Sequence, residues 1–153
     1  MNQEILTTEI QKYMDALGIH TKDIKLIQDN DIHITILSLI IRGNDIELFT
    51  DNHQELLRDL GLVFKLHIKN TFNIHKDLII DVNGIQEKHI NFTKEKAQIA
   101  VDRVLFFDKP YEFGYLNAYE RMIIHSYLKK YPELHSISEG VGKDRRLRLE
   151  KRT

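Results

Sequence analysis

The sequence predicts an α+β chain: helices on a small three-stranded sheet, then a long helix, then a second small α/β unit at the C-terminus. Apolar residues recur at helical spacing in several segments. Short apolar runs bounded by turn residues lie between them. One unbroken helical segment, from about Gly84 to Phe107, separates the two groups.

The first helix is expected over residues 3–17. Leu6, Ile10, Met14 and Leu17 recur at spacings of four, four and three, and Ile5 widens the stripe. Gly18 follows as a C-cap. Residues 24–28 and 32–41 read as strands around the turn Asp29-Asn30-Asp31. Ile32, Ile34 and Ile36 alternate with His33 and Thr35, which predicts one buried face in the first half of the second strand.

Residues 42–45 form a turn and residues 51–68 a helix. Asp51 suits its N-cap, with Gln54 three residues on as in a capping box. Leu56, Leu57, Leu60 and Val63 supply its apolar stripe. Residues 77–82 read as a short buried strand. In the long helix Ala97, Ala100, Val101, Val104 and Leu105 mark the packing side, and Pro110 ends it.

After an extended stretch, Asn117 is a natural N-cap with Glu120 at the third helical position. This helix runs to about Lys130, and Pro132 terminates it. Two strands, LHSIS and RRLRLEK, follow around a glycine-containing turn.

The chain has 153 residues, 42% hydrophobic and 29% charged, enough to bury one or two cores. No cysteine is present, so disulfides and thiolate metal sites are excluded. No apolar run is long enough for a span, and the start lacks the pattern of a signal peptide, so a cytoplasmic protein with no membrane insertion is expected. Charge is unevenly spread. Residues 1–116 hold 13 Lys and Arg against 18 Asp and Glu, whereas residues 117–153 hold 9 against 5. A basic end suggests a polyanion partner, or else a solvated, solubilising tail.

The helix after Asn117 sets Arg121, His125 and Lys129 within an arc of about 80°. Ile123, Ile124 and Tyr127 fall on the other side, toward the core. A row of cations one turn apart costs a few tenths of a kcal/mol in an isolated helix. Phosphate would relieve that repulsion, taking a fork of donors from Arg and a point charge from Lys. An Arg and a His four apart are common, so the pair alone is weak evidence.

The surroundings add weight. Asn117-Ala118-Tyr119-Glu120-Arg121, His125, Ser138-Glu139-Gly140 and Arg145-Arg146, in that order, resemble the R-three-H domain, named for its Arg-x-x-x-His pair. The form most similar is that of the bacterial Jag family, the SpoIIIJ-associated proteins. There it follows a type II KH domain, and Asp81-Val82-Asn83-Gly84 matches that family's entry to the linking helix. The resemblance implies a type II KH-like unit over 1–83, a linking helix over 84–108 and an R-three-H domain over 109–153. It implies binding of single-stranded RNA or DNA, chiefly RNA. The family's N-terminal Jag domain and linker are expected to be absent.

Arg121 is expected to contact phosphate bidentately and His125 to donate to phosphate or sugar. Lys129, Arg145, Arg146 and Arg148 are expected to broaden the positive surface, the last three by closing the sheet beside the helix. Arg146 and Arg148 alternate with Leu147 and Leu149, so they should point away from the core. Two positions depart from the family: Met122 stands where a second Arg is common, and Ile85-Gln86 where Tyr-Arg is.

The KH glycine loop departs further. It falls at Asp51, Asn52, His53 and Gln54, with neither glycine present. A carboxylate there opposes phosphate and caps the N–H groups that would hold it. The first unit is therefore expected to serve as scaffold or protein-interaction surface. Asp51→Gly with Gln54→Gly should tighten RNA binding.

The eight histidines show no His-x-x-x-His with an adjacent Glu, so neither metal nor other cofactor is expected. No nucleophile with a partnering base is evident, which argues against an enzyme. Tyr119, Tyr127 and Tyr131 are the aromatics of the basic helix, few for base stacking. The alternative function is a protein-interaction module in envelope or elongation regulation. It would pair with a small KH-domain protein or with itself.

Overall fold

The structure, a computed structural model, describes residues 3–50, 54–72 and 78–152. The chain divides into two compact units, residues 1–87 and 88–153.

In the first unit, α1 (Gln3–Ala16) precedes β1 (Thr21–Asp29) and β2 (Ile34–Ile41). A 3-10 turn (Gly43–Ile46) leads to α2 (Glu47–Thr50), α3 (Gln54–Phe72) and β3 (Leu78–Val82). The sheet order is β1-β2-β3, antiparallel between β1 and β2 and parallel between β2 and β3. Helices on a three-stranded sheet match the expected architecture.

The core lies between one side of that sheet and the helices. Leu37, Leu39 and Ile41 of β2 cluster with Leu6, Ile10 and Met14 of α1 and with Leu60, Phe64 and Ile68 of α3. Spacing of four puts each helical trio on one stripe. The α1 stripe stops at Met14, because Leu17 and Ile5 are 56% and 50% exposed. Gly18 reverses the chain there at φ +71°, with Gly18 N–H to Asp15 O and Ile19 N–H to Met14 O. That pairing is a Schellman motif, which ends the helix before Leu17 can reach the core. Val63 likewise lies outside the α3 stripe, 53% exposed, since Phe64 takes the buried position beside it.

β1 extends beyond the expected 24–28, reaching from Thr21 to Asp29. β2 is buried on both faces, with Thr35 and Ser38 inside as well as the isoleucines. A central strand packed on two sides has no polar face to display. Asp51, Asn52 and His53, which carry the expected helix cap and altered glycine loop, lie outside the described residues; Gln54 opens α3.

The Asp-Val-Asn-Gly entry to the long helix has a plain physical role. Asp81, buried, accepts hydrogen bonds from Gly84, Gln86 and Glu87 N–H and from the Ser38 hydroxyl. It thereby satisfies donors at the start of α4 (Ile85–Phe107). Asn83 lengthens the sheet, accepting from Ile41 N–H and donating to Ile41 O.

The second unit contains α4 from Lys88 onward, β4 (Tyr111–Glu112), α5 (Ala118–Tyr127), a 3-10 turn (Leu128–Lys130), β5 (Leu134–Glu139), a 3-10 turn (Gly142–Asp144) and β6 (Arg146–Lys151). Its antiparallel sheet has the order β4-β6-β5, leaving β5 on an edge. α4 buries Ile90, Thr93, Ala97, Ala100, Val101 and Val104, while Leu105 is 39% exposed. The helix ends three residues before Pro110, where Asp108 turns to φ +53°. Tyr127 and Tyr131 hydroxyls both donate to Gln98 Oε1 and tie α5 and its extension to α4.

Candidate nucleic-acid interface

Residues 117–145 build the site. Asn117 Oδ1 accepts from Glu120 N–H, and Glu120 Oε2 accepts from Asn117 N–H, each at 2.9 Å. This capping box fixes where α5 begins and hence which residues face inward. It also takes up N–H groups that would otherwise be open to an anion.

Ile123, Ile124, Tyr127 and Leu128 are buried, and His125 and Lys129 are exposed on the opposite side, as the spacing predicts. Arg121 is half-buried. Its Nη1 donates to Leu116 O at 2.7 Å, which holds the guanidinium beside the helix and leaves its other donors for a ligand.

His125 Nδ1 lies 2.6 Å from Ser136 Oγ of β5. In the tautomer whose Nδ1 accepts from the serine hydroxyl, Nε2 carries the proton and can donate to a phosphate oxygen. In the other tautomer Nδ1–H donates to the serine oxygen and Nε2 is an acceptor. Ser136 thus orients the ring in either state.

Alternation along β5 sorts the remaining cations. Ser136 pairs with Leu149 and Ser138 with Leu147, so both serines share the face of those buried leucines. Arg145 Nε donates to Ser138 Oγ at 2.8 Å, which places Arg145 on that same face. Arg121, His125, Ser136, Ser138 and Arg145 therefore belong to one side, formed by α5 and the edge strand. Lys129, in the 3-10 turn after α5, continues the row.

Arg146 and Arg148 lie elsewhere. Arg146 pairs with Glu139 and Arg148 with Ile137, across the sheet from the serines. They do point away from the leucines, but that same alternation carries them off the helix side, so they do not close the sheet beside α5. Glu112 pairs with Arg148, whose Nη2 also bridges Glu150 Oε2 at 2.8 Å. That face is mixed in charge.

Sequence reasoning missed Ser136, although Ser136 and Ser138 two apart in an expected strand already shared a face. Gly140 explains itself: at φ +91°, a Cβ would come within 2.8 Å of Asp144 O. Only glycine fits there, and the turn it makes brings Arg145 back to Ser138. The tyrosines are committed to the fold. Tyr119 stacks on His89 at 6.1 Å, and Tyr127 and Tyr131 bind Gln98.

Among the described residues no three His, Asp or Glu gather as metal ligands. His20, His67 and His135 each meet one carboxylate, of Asp45, Glu9 and Glu150. None of the helices in the described residues is long and apolar enough to cross a membrane.

No curated protein matches the chain. Residues 91–151 match the family model of the R-three-H domain. Domains of that family are generally associated with binding single-stranded nucleic acid. The C-terminal part of this chain, from within α4 to the end of β6, thus holds an R-three-H domain, and Arg121 and His125 stand within it at the Arg-x-x-x-His spacing.

Proposed function

We propose that this protein binds single-stranded nucleic acid, chiefly RNA, along the α5–β5 side of its second unit, as a non-enzymatic post-transcriptional regulator in the bacterial cytoplasm. The observation that carries the reading is the shared face of Arg121, His125 and Arg145, each held by a neighbour that leaves donors outward. Lys129 adds a point charge, and Arg146 and Arg148 raise only the general potential. The net balance of residues 88–153, 14 Lys and Arg against 9 Asp and Glu, favours a polyanion.

The first unit supports membership of the Jag family, with a KH-like unit whose glycine loop has been replaced. Its order of helices on a three-stranded sheet and its Asp81 cap fit that reading. Residues 1–87 hold 8 Lys and Arg against 14 Asp and Glu, which disfavours phosphate. A second role, protein contact through the first unit, is favoured by Leu62, Val63 and Leu66 on the outer side of α3, 58%, 53% and 50% exposed.

Titration of a labelled single-stranded RNA at two salt concentrations tests the proposal. With about three phosphates contacted, log affinity should fall with log salt at a slope of about −2. A flat response would overturn it. A matched DNA strand bound more tightly would remove the RNA preference.

A further inference from the structure

We propose that the outward row of α4 is a self-association surface, pairing side by side and parallel with the same row of a second copy of this chain. Phe92, Ile99 and Phe106 stand seven residues apart and are 55%, 53% and 82% exposed. A seven-residue repeat drifts only about 20° per step, so the three form one row about 21 Å long. Phe107, 62% exposed, packs edge-on against Phe106 with centroids 4.9 Å apart. The opposite side of α4 is already buried. A helix apolar on both sides has a second surface to cover.

Charge beside the row selects the occupant. At 100° per residue, Glu95 and Asp102 lie about 40–60° to one side, and Lys96 and Arg103 as far to the other. An antiparallel two-fold pair would set acidic flank against acidic flank. A parallel pair sets each acidic flank against a basic one at nearly the same height, Glu95 by Lys96 and Asp102 by Arg103. Within the chain Lys96 reaches Glu120 at 3.7 Å and covers the Phe92 ring, Arg103 covers Tyr111, and Asp102 accepts from Gln98. Exposed ion pairs add little affinity, so their effect is on orientation. Attraction comes from the aromatic row and from a groove of about 350 Å³ lined by Ile99, Asp102, Arg103, Phe106 and Phe107. With only four large apolar side chains to bury, association should be weak, on the order of tens of micromolar.

The absence of cysteine makes a clean test possible. In the full chain, Phe106→Cys under mild oxidation should yield a disulfide dimer, because parallel pairing brings the two copies of position 106 together. An equimolar mixture of Phe92→Cys and Phe106→Cys chains should give no excess of the mixed product. Sedimentation equilibrium should show the wild type dimerising, and Ile99→Glu weakening the dimer at least about tenfold with its circular dichroism unchanged. A wild type that stays monomeric at several hundred micromolar would overturn the proposal. So would preferential 92-to-106 crosslinking. A monomeric wild type whose single-strand binding is lost in Phe106→Glu would reassign the row to base stacking and likewise overturn it.

Discussion

The two units begin these helices by different means, a buried carboxylate in the acidic unit and an exposed capping box in the basic one. At α4 a buried carboxylate, Asp81, accepts three backbone N–H groups and the Ser38 hydroxyl. At α5 an exposed Asn117–Glu120 box does the capping. Both caps take up part of the open N–H groups of the first turn. The first unit is acidic, whereas in the basic second unit Arg121, His125 and Arg145 are each held by a hydrogen bond to a neighbouring residue. In the proposed reading, phosphate would therefore be met by side chains that α5 positions.

The comparison breaks most visibly at Asp81. Asp81→Ala strips the acceptor from buried donors and should cost the first unit about 3 kcal/mol or more, read by chemical denaturation. Loss of under about 1 kcal/mol would mean that water replaces the carboxylate freely. Asn117→Ala removes an exposed cap and should cost about 1 kcal/mol. Because the cap sets the register of α5, single-strand binding should weaken by no more than a few fold if the helix still starts at Ala118.

A smaller effect separates the units by pH. His20 N–H and the His20 ring both bond Asp45 Oδ2 and hold its carboxyl below the ordinary carboxylate value. A lowered value means that the stabilisation is present above the unfolded-state pKa and is lost as pH falls through the folded one. The wild type should therefore lose slightly more stability than Asp45→Asn on acidification below about pH 4. Equal slopes for the two proteins would show that the contact does not form in solution.

Much of this was legible in the sequence because the signals were local. Helix spacing found α1, α4 and α5, and the capping pair Asn117 and Glu120 fixed the start of α5. The arc of Arg121, His125 and Lys129 followed from 100° per residue alone. What escaped depends on partners far along the chain. Nothing in the sequence says that Ser136 would meet His125, eleven residues away, or that Arg145 would fold back on Ser138. Strand alternation correctly turned Arg146 and Arg148 from the core. Which side of the sheet α5 would occupy, and so whether those arginines would join the site, needed the β5–β6 register. Val63 and Leu105 fall outside the buried stripes for a related reason: each lies beside a buried residue, Phe64 and Val104.

The central claim is that one side of the second unit, and not its basic charge in general, holds the strand. Two double variants remove two side chains each, one pair from α5 and the other from the face of β6 turned away from it. Arg121→Ala with His125→Ala should weaken binding of a labelled single-stranded RNA by about ten- to a hundredfold, at low salt and with the fold intact. Arg146→Ala with Arg148→Ala should weaken it by no more than about twofold. Equal losses from both pairs, or a larger loss from Arg146 and Arg148, would contradict the assignment of the α5–β5 side.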